Sequence, residues 1–141
     1  MSDFDAAIAF VLAQEGGYSN DSRDPGGETK FGISKRAYPT LDIANLTVDD
    51  AKAIYKRDYW DALNLDSRPQ GEALAILDTA VNCGIGRAQT FIKAASVGSE
   101  FVVHLLSERL VVYSSFSAWP TYGHGWTNRV LRCAIASAQN P

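Results

Sequence analysis

Glu15-Gly16-Gly17-Tyr18, followed closely by Asp24-Pro25-Gly26-Gly27-Glu28-Thr29-Lys30-Phe31-Gly32-Ile33, is the stretch from which the rest of the chain can be read. An acidic residue closes an apolar helical run, two glycines interrupt that run, and a second carboxylate follows on a turn-rich segment. Glycosidase chemistry needs two carboxyl groups in unlike environments facing one sugar bond, and Glu15 with Asp24 supplies such a pair.

Upstream, Phe4, Ile8, Val11 and Leu12 recur at helical spacing with alanines between them, which predicts an amphipathic helix from Asp3 to Gln14. Ser2 reads as its N-cap, with Asp5 three positions on. Gly16 and Gly17 are expected to end it in the left-handed conformation. Glu15 then stands at the negative end of the helix dipole, which disfavours a charged carboxylate and suits a proton donor. Downstream, Pro25-Gly26-Gly27 signals a turn between short strands at 19–21 and 29–32. Asp24 reads equally as a turn-former bonding its own backbone, and Asp21 is the fallback carboxylate. Thr29 brings a hydroxyl able to hold a water, though a β-branched residue in a strand needs no function.

The remainder reads as helices. Ser34 opens a short one to Tyr38. Thr47 with Asp50 forms a capping box for a helix over 48–59, with Ala51, Ile54 and Tyr55 inward. Pro69 opens the most apolar helix, in which Asp78 and Asn82 share a face at i, i+4. Such a pair either lines a cleft or satisfies buried backbone. A helix over 87–95 follows, then one over 99–113 with Phe101, Val102, Leu105, Leu106 and Leu110 as its stripe. Residues 119–125 read as an aromatic, glycine-containing loop before a last helix over 126–138. Trp60, Trp119, Tyr122 and Trp126 are candidates to stack on sugar faces, Trp60 foremost, although large rings more often fill cores.

The 141 residues fit one domain able to bury a real core, and the net charge of −3 gives no global pull toward nucleic acid. Cys83 and Cys133 lack CxxC or Cys/His spacing, and His104 and His124 are too few for a metal site, so neither metal nor cofactor is expected. A reduced, buried pair of thiols is the default. No leader-like segment and no run of about 20 apolar residues occurs, so no membrane insertion is expected.

These motifs resemble the phage-associated N-acetylmuramidases of glycoside hydrolase family 108. The likeness extends from the first motif through Tyr59-Trp60, Asp78-Thr79-Ala80-Val81-Asn82-Cys83-Gly84 and Arg87-Ala88 to Gly125-Trp126-Thr127-Asn128-Arg129-Val130. It implies a mainly α, lysozyme-like single domain over 1–141, with a small β-hairpin beside the first helix. Residues 1–88 would form the catalytic part. Residues 89–141 would form a helical part resembling a shortened peptidoglycan-binding module, because only Ala95-Ser96-Val97-Gly98-Ser99-Glu100 stands where relatives carry a longer signature. The implied activity is hydrolysis of the β-1,4 bond between N-acetylmuramic acid and N-acetylglucosamine in peptidoglycan. In that role Glu15 is the proton donor, Asp24 the base or electrostatic partner, and Thr29 the water holder, with Tyr18, Trp60, Asp78 and Asn82 binding substrate. A monomeric enzyme acting on glycan strands, held in the host cytoplasm until released to the wall, completes the expectation.

Three rivals stay open from sequence. A silent wall-binding module would keep the aromatics without needing Glu15 paired with Asp24. A DNA-binding helix-turn-helix over 46–60 lacks a basic recognition face. A lytic transglycosylase or chitinase would share the fold and differ in product.

Overall fold

The computed structural model describes residues 2–95 and 97–140. Helix α1 (Phe4–Gln14) leads into a two-stranded antiparallel hairpin, β1 (Thr29–Lys30) and β2 (Ile33–Ser34). Then come α2 (Val48–Tyr55), a π-helical turn (Lys56–Asp61) and a 3-10 turn (Leu65–Ser67). Four longer helices finish the chain: α3 (Gln70–Cys83), α4 (Ile85–Ala94), α5 (Phe101–Ser114) and α6 (Trp119–Gln139). The expected mainly α arrangement with one small hairpin is therefore present.

Helix α3 is the axis of the domain. Ala73, Leu74, Ala75, Ile76, Leu77 and Ala80 are all buried, and α3 packs against α1, α4, α5 and α6. A helix so apolar on every side has to lie inside the bundle. Gly71 lets α6 close on it: a methyl there would sit 2.4 Å from the Ser137 carbonyl oxygen. The Thr47–Asp50 capping box forms as expected, with Thr47 Oγ1 accepting from the Asp50 N–H at 3.1 Å.

Several local expectations are corrected. Asp3, not Ser2, caps α1 by accepting from the Ala6 N–H, while the Ser2 hydroxyl is buried and donates to the Leu65 carbonyl. The hairpin turn is Phe31-Gly32, both at positive φ (52° and 80°), as a two-residue type I′ turn requires. The Pro25-Gly26-Gly27 segment lies outside it, and the earlier expected strand survives only as a single bridge from Ser19 to Thr29. Residues 35–38 form one turn after β2, with no helix, and the Ser34 hydroxyl accepts from Ala37 N–H. Beyond Tyr55 the helix widens into the π turn, so an α-helical reading of 48–59 misplaces the residues that follow.

Trp60 falls in that turn and is fully buried, edge-on to Phe4 at 5.3 Å, its indole N–H donating to Asp66 at 2.8 Å. With its one polar atom satisfied, the ring is core and lines no cleft. Helix α6 begins at Trp119 rather than after Gly125. Gly123 is a point of close approach, where a methyl would meet the Trp119 ring at 2.7 Å, so the glycine accommodates the indole and does not break the helix.

Both cysteines are free. Burial first, then the Asp78 carboxylate, pushes the Cys133 thiol up to about 12 from an ordinary 9.0. In alkali the unfolded chain loses this proton before the folded one does. The contribution to stability is therefore complete below pH 9.0 and declines as pH rises toward 12. Cys133→Ala should flatten the fall of the urea midpoint across that window; an unchanged slope would show that other groups set it.

Candidate active site

Glu15 is the C-cap of α1. Its backbone is extended (φ −79°, ψ 148°) and its N–H bonds to the Val11 carbonyl at 3.1 Å. The helix thus ends without a left-handed glycine; Gly16 and Gly17 follow with neither positive φ nor crowding. The side chain is 18 % exposed, and its Oε1 accepts from Arg129 Nη1 at 2.9 Å.

The carboxyl group rests on the hairpin turn. A methyl at Gly32 would lie 2.9 Å from both Glu15 Cδ and Oε2, and 2.6 Å from the Tyr55 hydroxyl oxygen. Tyr55 anchors the same turn by donating to the Phe31 carbonyl at 2.7 Å. Burial, then the nearby Glu15 carboxylate, raises the Tyr55 phenol far above its usual range, so it acts as a donor. Gly32 is thereby fixed twice, by its φ and by the atoms above it.

Asp24 stands on the exposed loop before β1. Its Oδ1 accepts from the Gly26 N–H at 2.8 Å, an Asx turn. No ion pair engages it among the described residues. Thr29 donates its hydroxyl to the Gly27 carbonyl at 3.2 Å. A methyl at Gly26 would be 3.2 Å from Asp24 Oδ1 and 3.9 Å from Thr29 Oγ1, so both side chains gather at that glycine. The fallback Asp21 is committed to Arg23, whose hydrogen bonds hold its carboxyl below the usual range.

Behind Glu15 lies a chain of buried charges. Arg129 Nη2 donates to Asp78 Oδ1 at 2.8 Å, and Arg109 Nη1 donates to Asp78 Oδ2 at 2.8 Å. The Asp78 and Arg109 side chains are 0 % exposed and that of Arg129 11 %. Burial opposes the charge on both arginines, and Asp78, together with Tyr113 at Arg109 and Glu15 at Arg129, more than offsets it, raising both above their ordinary value. Arg109 Nε continues to the Tyr113 hydroxyl at 2.8 Å, and Nη2 reaches Asn82 Oδ1 at 3.3 Å.

Of the residues expected to touch substrate, Asp78 is closed off: both of its oxygens are taken inside the protein. The i, i+4 pairing with Asn82 thus serves the buried network, although Asn82 itself is exposed. Tyr18 is half exposed and donates to Glu28 at 2.7 Å. The residues with no site role expected from sequence are Arg129, Arg109, Tyr55 and Gly32. A usable signal existed for Arg109, which falls on the apolar stripe of α5 with Leu105, Leu106 and Tyr113 and so required a buried partner.

An apolar groove of about 700 Å³ runs between the start of α3, α5 and α6, and none of Glu15, Asp24 or Thr29 lines it. Among the described residues no cluster of three His, Cys, Asp or Glu side chains forms.

A helical domain with an acid at the end of its first helix, seated on a small hairpin, is the arrangement of the lysozyme-like glycosidases. The chain belongs to glycosyl hydrolase family 108, whose family model matches residues 8–84, taking in Glu15, the hairpin and α3. It is similar to the chain described as the structure of Brucella abortus SagA, at 27% identity and a TM-score of 0.81, covering 97% of this chain and 94% of that one. Among curated proteins none matches. The matched residues include Gly32, Tyr55 and Asp78 and stop short of Arg109 and Arg129.

Proposed function

We propose that this glycosidase is a peptidoglycan hydrolase, an N-acetylmuramidase cleaving the β-1,4 bond on the N-acetylmuramic acid side. The observation that carries the reading is the seating of the Glu15 carboxyl group between Arg129 and the hairpin turn. One oxygen, Oε1, is held by the guanidinium, which leaves Oε2 as the oxygen to deliver a proton to the glycosidic oxygen. Asp24 serves as the second carboxylate, in a wetter position, with Thr29 holding the attacking water.

Glu15 rests on Gly32 at the hairpin turn, while Gly26, beside Asp24, abuts Ser34 in β2. The proposed course is the inverting one, in which the two carboxyl groups stand about 6.5–9.5 Å apart to admit a water. Since Arg129 reaches Glu15 from α6, the C-terminal helices are part of the catalytic unit in this reading, and a separate wall-binding role is not assigned to them. The phage-type context belongs to the same proposal: a monomeric lytic enzyme acting on the wall after leaving the host cytoplasm.

One observation favours a second reading. The Asx turn accounts for Asp24 structurally, and a lytic transglycosylase works with a single acid. Digestion of purified walls followed by borohydride reduction separates the cases. The muramidase reading expects muramitol at every new end, anhydro-muramyl ends would give the transglycosylase, and glucosaminitol would place the cut at the other bond.

A further inference from the structure

The aromatic residues of α6 have a use that core packing does not explain. Tyr122, Trp126 and Arg129 are spaced i, i+4 and i+7 and so share one stripe of the helix. At 1.5 Å per residue, Trp126 lies roughly 4.5 Å and Tyr122 roughly 10.5 Å along the axis from Arg129. Arg129 ends at Glu15, so the stripe leads away from the candidate acid.

Trp126 is held firmly. Its ring lies 5.2 Å from that of Tyr113 and 6.0 Å from that of Phe116, perpendicular to the latter. The Tyr113 hydroxyl accepts from Arg109, the arginine that also holds Asp78, so the aromatic group and the acid share one support. Tyr122 stacks on Trp126 at 5.9 Å with the rings 29° apart, yet remains 59% exposed. A core role explains Tyr113 and Trp126. It leaves unexplained a large ring, mostly in water, laid flat against a braced indole. Such a surface complements the apolar C–H face of a pyranose, with the phenol hydroxyl free for a sugar oxygen.

We infer that Tyr122, backed by Trp126, is a saccharide-binding platform that stacks an N-acetylated pyranose of the glycan strand on α6, beyond the bond-cleaving centre. The inference rests on the glycan-hydrolase reading above and extends it to a subsite.

Binding is best measured in the full chain carrying Glu15→Gln, by tryptophan fluorescence titration with peptide-free glycan strands of N-acetylated sugars. Tyr122→Ala should weaken binding about 5- to 30-fold, the scale of one lost aromatic contact. Tyr122→Phe should stay within about twofold of its parent, because stacking needs the ring. Melting temperatures identify any variant that fails to fold, and an exposed side chain should leave them level. In the chain with Glu15 intact, the loss should appear in KM. Equal binding by Tyr122→Ala and its parent overturns the platform. Loss in Tyr122→Phe as large as in Tyr122→Ala overturns stacking. Lysis retained by Glu15→Gln would instead strike the acid assignment, a separate readout from these titrations.

Discussion

Glu15→Gln is expected to lower kcat on purified walls by about 10²–10⁴-fold, the contribution of a positioned acid. The amide keeps an oxygen where Oε1 accepts from Arg129, and Arg129 retains Asp78, so no buried charge is stranded. The fold should therefore persist, with melting shifted by the few degrees of a near-surface change. Turbidity clearing and thermal melts on the same preparation check both halves. Near-normal clearing by a folded Glu15→Gln protein would remove Glu15 from the chemistry.

The second large effect lies in the charges behind the acid. Arg109→Met leaves Asp78 fully buried with one arginine in place of two, and Asp78→Ala leaves Arg109 buried without its carboxylate. Removing one partner of a buried pair costs about 3–5 kcal/mol. That is a large share of the roughly 5–15 kcal/mol that holds a domain folded. The double variant should cost less than the sum, because neither charge is then stranded. Urea unfolding of the two single variants and the double variant tests this directly. Single costs below about 1 kcal/mol would show that water or relaxation compensates the pair.

What sequence reading reached, and what it missed, follows from the range of each interaction. Helix α3 was legible because unbroken apolar character has only one outcome in a bundle, and the Thr47 cap because its partners are three residues apart. The place of Glu15 at the end of α1 followed from local periodicity. The hairpin turn was hidden because Phe31 occupies a left-handed position usually given to Asn or Gly, held there by a hydrogen bond from Tyr55, 24 positions away. The π turn hid the burial of Trp60 by changing the helical period. Asp78 carried a true but ambiguous signal, a charge in an apolar helix, which fits a cleft wall or a buried pair. Arg109 and Arg129, 31 and 51 positions distant, decide between these, and no local pattern connects them.

In the proposed reaction, water is added across a glycosidic bond at the Glu15 site. Digesting purified walls in oxygen-18 water, with immediate borohydride reduction and mass spectrometry of the sugars, tests it most directly. The predicted result is one oxygen-18 at each newly formed muramic acid end, made by the parent chain and not by Glu15→Gln. Anhydro-muramyl products without the label, or labelled products formed equally well by Glu15→Gln, would contradict it.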